Sequence, residues 1–360
     1  MTVNETWQFV TAPDGRGLEV MIAGPPADLR LVLQSGTPGA AVPYPPLIDT
    51  AARHGMQLVT YSRPGYARSD ACPNRSVGQA AADVATILDA LGAESFVTIG
   101  WSGGGPHALA CAATLSDRCL AAATIAGVAP YSADGLDWLA GQGEENVEEF
   151  AAALRGEKQL TKWLTEAADD MAHVRADDVA AVLGDLMSEV DKPALTREYA
   201  EWVAASFRKG VSAGVVGWCE DDLAFLKPWG FDLEAISRPV GIWQGGQDHM
   251  VPFAHGEWLA AHIPTAMPHL LPDDGHLSIG VGRLSKNPEK LSLIGEFFSY
   301  EPHGLMLHRN DSAFRLAVNR TLAAMYRSGD IVPIYEKWFG SMPTAGPLIA
   351  AMYLINGLPE

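Results

Sequence analysis

The chain has 360 residues, 48% of them hydrophobic, and a formal net charge of -18 at pH 7. That length allows one large core with an addition, no apolar run approaches a membrane span, and the acidic balance disfavours nucleic acid or an anionic membrane as partner. The opening residues, Met1 to Thr6, lack the basic-then-apolar layout of an export signal, so the expected compartment is cytoplasmic.

Apolar strand patterns near 29–35, 56–61, 95–100, 120–126, 239–244 and 266–271 alternate with helical stretches. Such alternation predicts an α/β fold with a mainly parallel sheet, whose reactive groups collect at the carboxyl ends of its strands. The first of these strands runs into Gln34, Ser35, Gly36, Thr37 and Pro38, a tight turn whose Thr37 amide is a candidate donor to a developing oxyanion. Between 77 and 91, Ala81, Val84, Ile87 and Leu88 fall on one face of an expected helix.

The strand at 95–100 leads into Gly100, Trp101, Ser102, Gly103 and Gly104 and then a helix. A serine between glycines on a strand-to-helix turn is raised clear of its neighbours, the arrangement of a nucleophile elbow. Ser102 is therefore the candidate nucleophile, the Gly103 amide the second candidate oxyanion donor, and Trp101 a candidate pocket residue that either lines the pocket or packs beneath it. Gly103, Gly105 and Ala108 also fit the spacing of a dinucleotide-binding turn, but they follow several strands, and no acidic residue stands at the distance that turn needs.

From Pro130 to about Ile236 the alternation stops, and the text becomes acidic and helix-forming. We read 131–236 as a helical cap inserted after the sixth strand. Trp138, Phe150, Leu160, Trp163, Leu164, Met171 and Leu186 are expected to form mostly its own core. Trp218 is a second candidate pocket residue, and the cluster running from it to Asp221 and Asp222 reads as a solvated helix end or cap, the alternative being a carboxylate placed at the cleft.

Two later segments complete a catalytic set. The apolar run from Val240 ends in glycines and Asp248, and the run from Met267 ends in a loop presenting His276 after Gly275. A serine hydroxyl needs an imidazole to take its proton, and the imidazole needs a carboxylate to fix its tautomer. The order Ser102, Asp248, His276 suits strands of one parallel sheet and excludes the chymotrypsin order. Cys72, Cys111, Cys119 and Cys219 share no metal-ligand spacing and read as free thiols; no metal or cofactor is expected.

With these residues, and with the turn Tyr61 to Ser69 and the acid loop Asp248 to Pro252, the chain resembles the α/β-hydrolase superfamily over about residues 6–285. The resemblance implies a serine hydrolase with a central sheet flanked by helices, acting through an acyl-enzyme on small carboxylic esters, a carboxylesterase-type activity. Ser35 and Ser62 stand where the family often has His and Asp, which leaves substrate preference open. The alternatives are a proline-iminopeptidase-like amidase, although the elbow departs from that pattern, and a non-catalytic binding or scaffold protein with a vestigial triad.

From about Lys286 the text resembles the end of an amino-acid-binding protein of an ABC importer. The ligand-holding lobe of such a protein is absent upstream, so solute binding does not carry over, and 286–360 reads as a fused extension. Phe314, Val318, Leu322 and Met325 at helical spacing need a partner, either the hydrolase part or another copy in a homo-oligomer. Leu284, Leu291, Ile294 and Phe298 read as an apolar stripe that completes the hydrolase's last helix.

Overall fold

The computed structural model describes residues 5–280 and, beyond them, Thr321 and Met325, both helical. The chain divides into two units, Met1–Pro288 and Glu289–Glu360, and the fold described here is the first. Met325 apart, the residues named for the expected helices at the boundary and in the extension lie outside the described residues.

The unit begins with an antiparallel hairpin, β1 (Glu5–Thr11) and β2 (Gly17–Ala23). There follow β3 (Leu29–Gln34), α1 (Pro45–Arg53), β4 (Met56–Tyr61), α2 (Gln79–Ala90), β5 (Phe96–Trp101), α3 (Gly105–Thr114) and β6 (Cys119–Ile125). Then come α4 (Glu144–Leu154), α5 (Glu157–Ala172), α6 (Val179–Val182), α7 (Arg197–Gly210) and α8 (Val216–Phe225). The chain returns to the sheet with β7 (Val240–Gly245), α9 (Phe253–His262) and β8 (Ala266–Leu271).

The strands form one eight-stranded sheet in the order β1-β2-β4-β3-β5-β6-β7-β8. β2 pairs antiparallel with both β1 and β4, and every pairing from β4 to β8 is parallel. All six strands read from the sequence are present; the hairpin was not read. β1 is largely exposed, with Phe9 at 49%. The signal that marks it is Asp14-Gly15 between alternating runs, where Gly15 takes φ 91° and the Ala12 amide donates to the Arg16 carbonyl.

Successive side chains of a strand face opposite ways, and here each face finds its own core. Val32 and Val59 pack with Val84, Ile87 and Leu88 of α2 and Leu109 of α3. Leu31, Leu33 and Leu58 pack on the other side with Leu47 and Ile48 of α1 and with Tyr199, Trp202 and Val203 of α7. The inserted segment thus supplies part of the sheet's own core through α7. That helix starts at Thr196, whose side chain accepts from the Tyr199 amide at 3.4 Å, and buries one aromatic stripe.

Among the described residues, no helix is long and apolar enough to cross a membrane. Cys111, Cys119 and Cys219 are buried free thiols, and Cys72 is a half-buried one.

Candidate active site

β5 ends at Trp101, and Ser102 takes φ 54°, the left-handed region that a residue with a β-carbon enters only under constraint. Such a residue stores on the order of 1–3 kcal/mol of strain. The chain then passes through a single 3-10 turn, Ser102–Gly104, into α3. A Cβ on Gly100 would run into the Gly104 carbonyl, and one on Gly104 into the carbonyls of Gln34 and Ser35 at the end of β3. Glycine is what lets the turn press so closely on the neighbouring strand.

The same crowding brings Thr37 beside the elbow: a Cβ on Gly103 would lie 2.7 Å from Thr37 Cβ. The Thr37 hydroxyl lies against Gly103 as well, and it donates to Asp221 Oδ2 at 2.8 Å and accepts from Arg63 Nη2 at 3.0 Å. Gly103 is braced from α3, where the buried His107 Nδ1 donates to its carbonyl at 2.9 Å.

At the other side of the site, His276 Nδ1 donates to Asp248 Oδ2 at 2.8 Å. Asp248 is itself anchored, its Oδ1 accepting from the amides of Met250 and Val251, both at 2.8 Å, and its Oδ2 from Gln244 Nε2 at 3.1 Å. Burial opposes a charged imidazole, but Asp248, with Asp191 behind it, outweighs burial and raises the His276 pKa above its ordinary 6.5.

Asp191, which the sequence reading did not single out, holds the histidine loop. Its carboxylate accepts from the amides of His276 (3.1 Å), Leu277 (2.8 Å) and Ser278 (2.9 Å) and from the Ser188 hydroxyl (2.9 Å). It sits between α6 and α7, 85 residues before the histidine, with no local motif to mark it.

Ser102, Gly103, Thr37 and His276 share the wall of one cavity of about 420 Å³, and Trp101 and Trp218 line it too. Trp101 serves both expected roles, since its ring also packs against Trp202 at 5.5 Å and His276 at 5.6 Å. The inserted apolar residues add to one expectation. Trp138, Phe150, Leu160 and Leu164 are core residues with Trp163 and Met171 packed against them, but Trp138, Phe150, Trp163, Met171 and Leu186 also line the cavity, and only Leu160 and Leu164 stay out of it. Trp138 lies in a turn rather than a helix, donating from its indole to the Ala129 carbonyl at 2.7 Å.

The carboxylates of α8 correct another. Asp221 and Asp222 are buried, at 0% and 1% exposure, not a solvated helix end. Asp221 joins Arg63 and Arg75, each at 2.6 Å, and accepts from the Tyr66 hydroxyl at 2.8 Å. Burial works against its charge, but the two arginines hold its carboxyl well below the carboxylate range. Asp222 instead lines the cavity, hydrogen-bonded to Glu149 of α4. Burial pushes Asp222 well above its usual range and Glu149 up to about 7. Among the described residues, no group of three or more His, Cys, Asp or Glu side chains is arranged to hold a metal ion.

Solved structures with this architecture include an α/β hydrolase fold protein from Chitinophaga pinensis, 18% identical, covering 81% of this chain and 98% of its own at a TM-score of 0.57. An esterase from Rhodococcus sp. ECU1013 is 20% identical over 80% of this chain and 99% of its own, at a TM-score of 0.55. An esterase from Exiguobacterium antarcticum is 17% identical over 79% of this chain and 96% of its own, at 0.54. At such identities the likeness is one of fold. An L-glutamate/L-aspartate-binding protein of Pseudomonas aeruginosa is 33% identical over 66 residues, 18% of this chain, and the chain spans only 22% of the length of that curated relative. The family model described as the alpha/beta hydrolase fold matches residues 30–282. That match over most of the chain, together with a parallel sheet whose fifth strand breaks into a strained serine turn, makes the protein a member of the α/β-hydrolase family.

Proposed function

We propose that the protein is a serine hydrolase that cleaves carboxylic esters of small acyl substrates through an acyl-enzyme intermediate. The observation that carries this reading is the strained Ser102 in the wall of a cavity that His276 also lines, already tied through Nδ1 to the anchored Asp248. With Nδ1 committed to Asp248, the Nε2 of His276 is the nitrogen that takes the Ser102 proton as Oγ attacks the carbonyl carbon. The amides of Thr37 and Gly103 stabilise the oxyanion. His276 then returns the proton to the leaving alcohol, and a water activated by the same imidazole releases the acid. A cavity of about 420 Å³ suits a small substrate.

The test is labelling with a fluorophosphonate followed by peptide mapping, alongside hydrolysis of short-chain p-nitrophenyl esters. We expect the label on Ser102 and turnover that disappears with it. Label on another residue, or turnover that survives full labelling, would sink the reading.

A further inference from the structure

The cavity holds carboxyl groups that acyl transfer does not use. Its wall carries Glu145, Glu149, Glu166, Asp170 and Asp222 and no lysine or arginine. Glu145, Glu166 and Asp170 are exposed, and Glu166 also pairs with Lys162 at 3.9 Å. Glu149 and Asp222 are buried, at 7% and 1% exposure.

On α8 two neighbouring aspartates meet opposite surroundings. Asp221 takes both Arg63 and Arg75, which leaves no cation for Asp222. Among the described residues Asp222 Oδ2 is buried with no donor facing it, and the group bonded to Asp222 is a second carboxyl, Glu149. Two carboxyls in contact need a proton between them, so the pair carries about one negative charge rather than two. The one neutral donor Glu149 does have is Trp218 Nε1, 2.6 Å from its Oε1. Burial is what raises both carboxyls, as it does for acids that lack a positive partner. Around them Trp101, Trp138, Trp163, Trp218, Phe150 and Phe225 line the same cavity, and the faces of such rings attract cations.

We propose that this cavity selects esters bearing an ammonium cation, held by the Glu149 and Asp222 carboxyls and the aromatic rings around them. The proposal rests on the serine-hydrolase reading for its ester chemistry, but not for its binding. A cation here supplies the counter-charge that the two carboxyls lack and lets the pair release its shared proton to solvent.

The test compares isosteres that differ only in charge. One pair is 2-trimethylammonioethyl butyrate and 3,3-dimethylbutyl butyrate, with the cation on the alcohol. The other is ethyl 4-(trimethylammonio)butyrate and ethyl 5,5-dimethylhexanoate, with the cation on the acyl group. In at least one pair we expect kcat/KM for the cation to exceed that for its carbon analogue by about tenfold or more, falling toward parity in Asp222→Asn and in Glu149→Gln. Binding is read separately, by tryptophan fluorescence of the Ser102→Ala protein titrated with 2-trimethylammonioethanol and with 3,3-dimethylbutan-1-ol. The cation should bind the more tightly, and the two carboxyl variants placed in that background should lose the difference. Equal binding of the two alcohols together with equal turnover in both ester pairs overturns the proposal while leaving a Ser102-dependent esterase intact. Cation preference in binding without any Ser102-dependent turnover upholds the subsite and overturns the esterase reading instead. A preference that both carboxyl variants retain overturns the assignment to Glu149 and Asp222.

Discussion

Ser102 carries the heaviest expectation of any single residue. Ser102→Ala removes the proposed nucleophile without filling space, so kcat on p-nitrophenyl butyrate should fall about 10⁴-fold or more with the fold retained, as checked by circular dichroism. His276→Ala should be comparably damaging. The imidazole must be neutral to accept a proton, and Asp248 and Asp191 raise its pKa, so kcat/KM should rise with pH along a limb centred above 6.5. Asp248→Asn removes the larger of these two charges and should move that limb to lower pH while cutting turnover. A limb that stays put would argue that Asp248 does not face the catalytic imidazole in solution. Asp191 touches no reacting atom and acts through the loop it holds. Asp191→Ala should lower kcat on the order of 10²-fold by letting His276 drift, with KM changed much less. Loss confined to KM would contradict a positioning role.

At the scale of elements, α8 gives two neighbouring substitutions of opposite sign. Asp221→Asn leaves Arg63 and Arg75 buried without their counter-charge, a loss of about 3–5 kcal/mol in urea unfolding. Asp222→Asn should instead stabilise the protein at pH 8. An unfolded glutamate ionises near 4.5, whereas burial makes Glu149 hold its proton up to about 7. A folded pKa raised in an acid means stability that is full below about 4.5 and lost as pH rises through 7. The loss is on the order of 3 kcal/mol when Glu149 is forced to ionise. Asp222 is raised in the same sense, by burial first and then by the Glu149 charge, and a neutral amide in its place removes that second ionisation cost, so the thermal midpoint of Asp222→Asn should exceed that of the parent by more at pH 8 than at pH 5. An equal difference at the two pH values would show that the two carboxyls do not share a proton.

For the whole molecule, the question is where the hydrolase ends. The family match stops at residue 282 and the first unit at Pro288, while the apolar stripe Leu284, Leu291, Ile294 and Phe298 crosses that limit in the sequence. Truncation after Tyr300 should leave a soluble protein with full esterase turnover. Truncation after Ser285 should give aggregated or inactive protein, because it removes most of the stripe. Size-exclusion chromatography and the ester assay on both truncations check this. Identical behaviour of the two would remove any role for 286–300, and loss of turnover on deleting 301–360 alone would make the extension functional rather than a fused remnant.

The sequence alone determined the sheet and the elbow, because their signals are local. Strand patterns of five to seven apolar residues, the glycines around Ser102 and the loops ending in Asp248 and His276 each impose their geometry within a few residues. Even the hairpin at Glu5–Ala23 was marked by its Asp14-Gly15 turn. Tertiary structure alone decided which charged side chains meet. A carboxylate reads the same in sequence whether it faces water, an arginine or another carboxyl, and here the deciding partners lie far along the chain. Asp191 reaches His276 across 85 residues, Asp221 reaches Arg63 across 158, and Glu149 meets the Trp218 indole across 69. The same holds for Trp138, Phe150 and Trp163, whose hydrophobicity foretold burial but not burial around a cavity. An apolar side chain gains from leaving water against any apolar neighbour, so only the packing of the inserted helices over the sheet determines what those rings enclose.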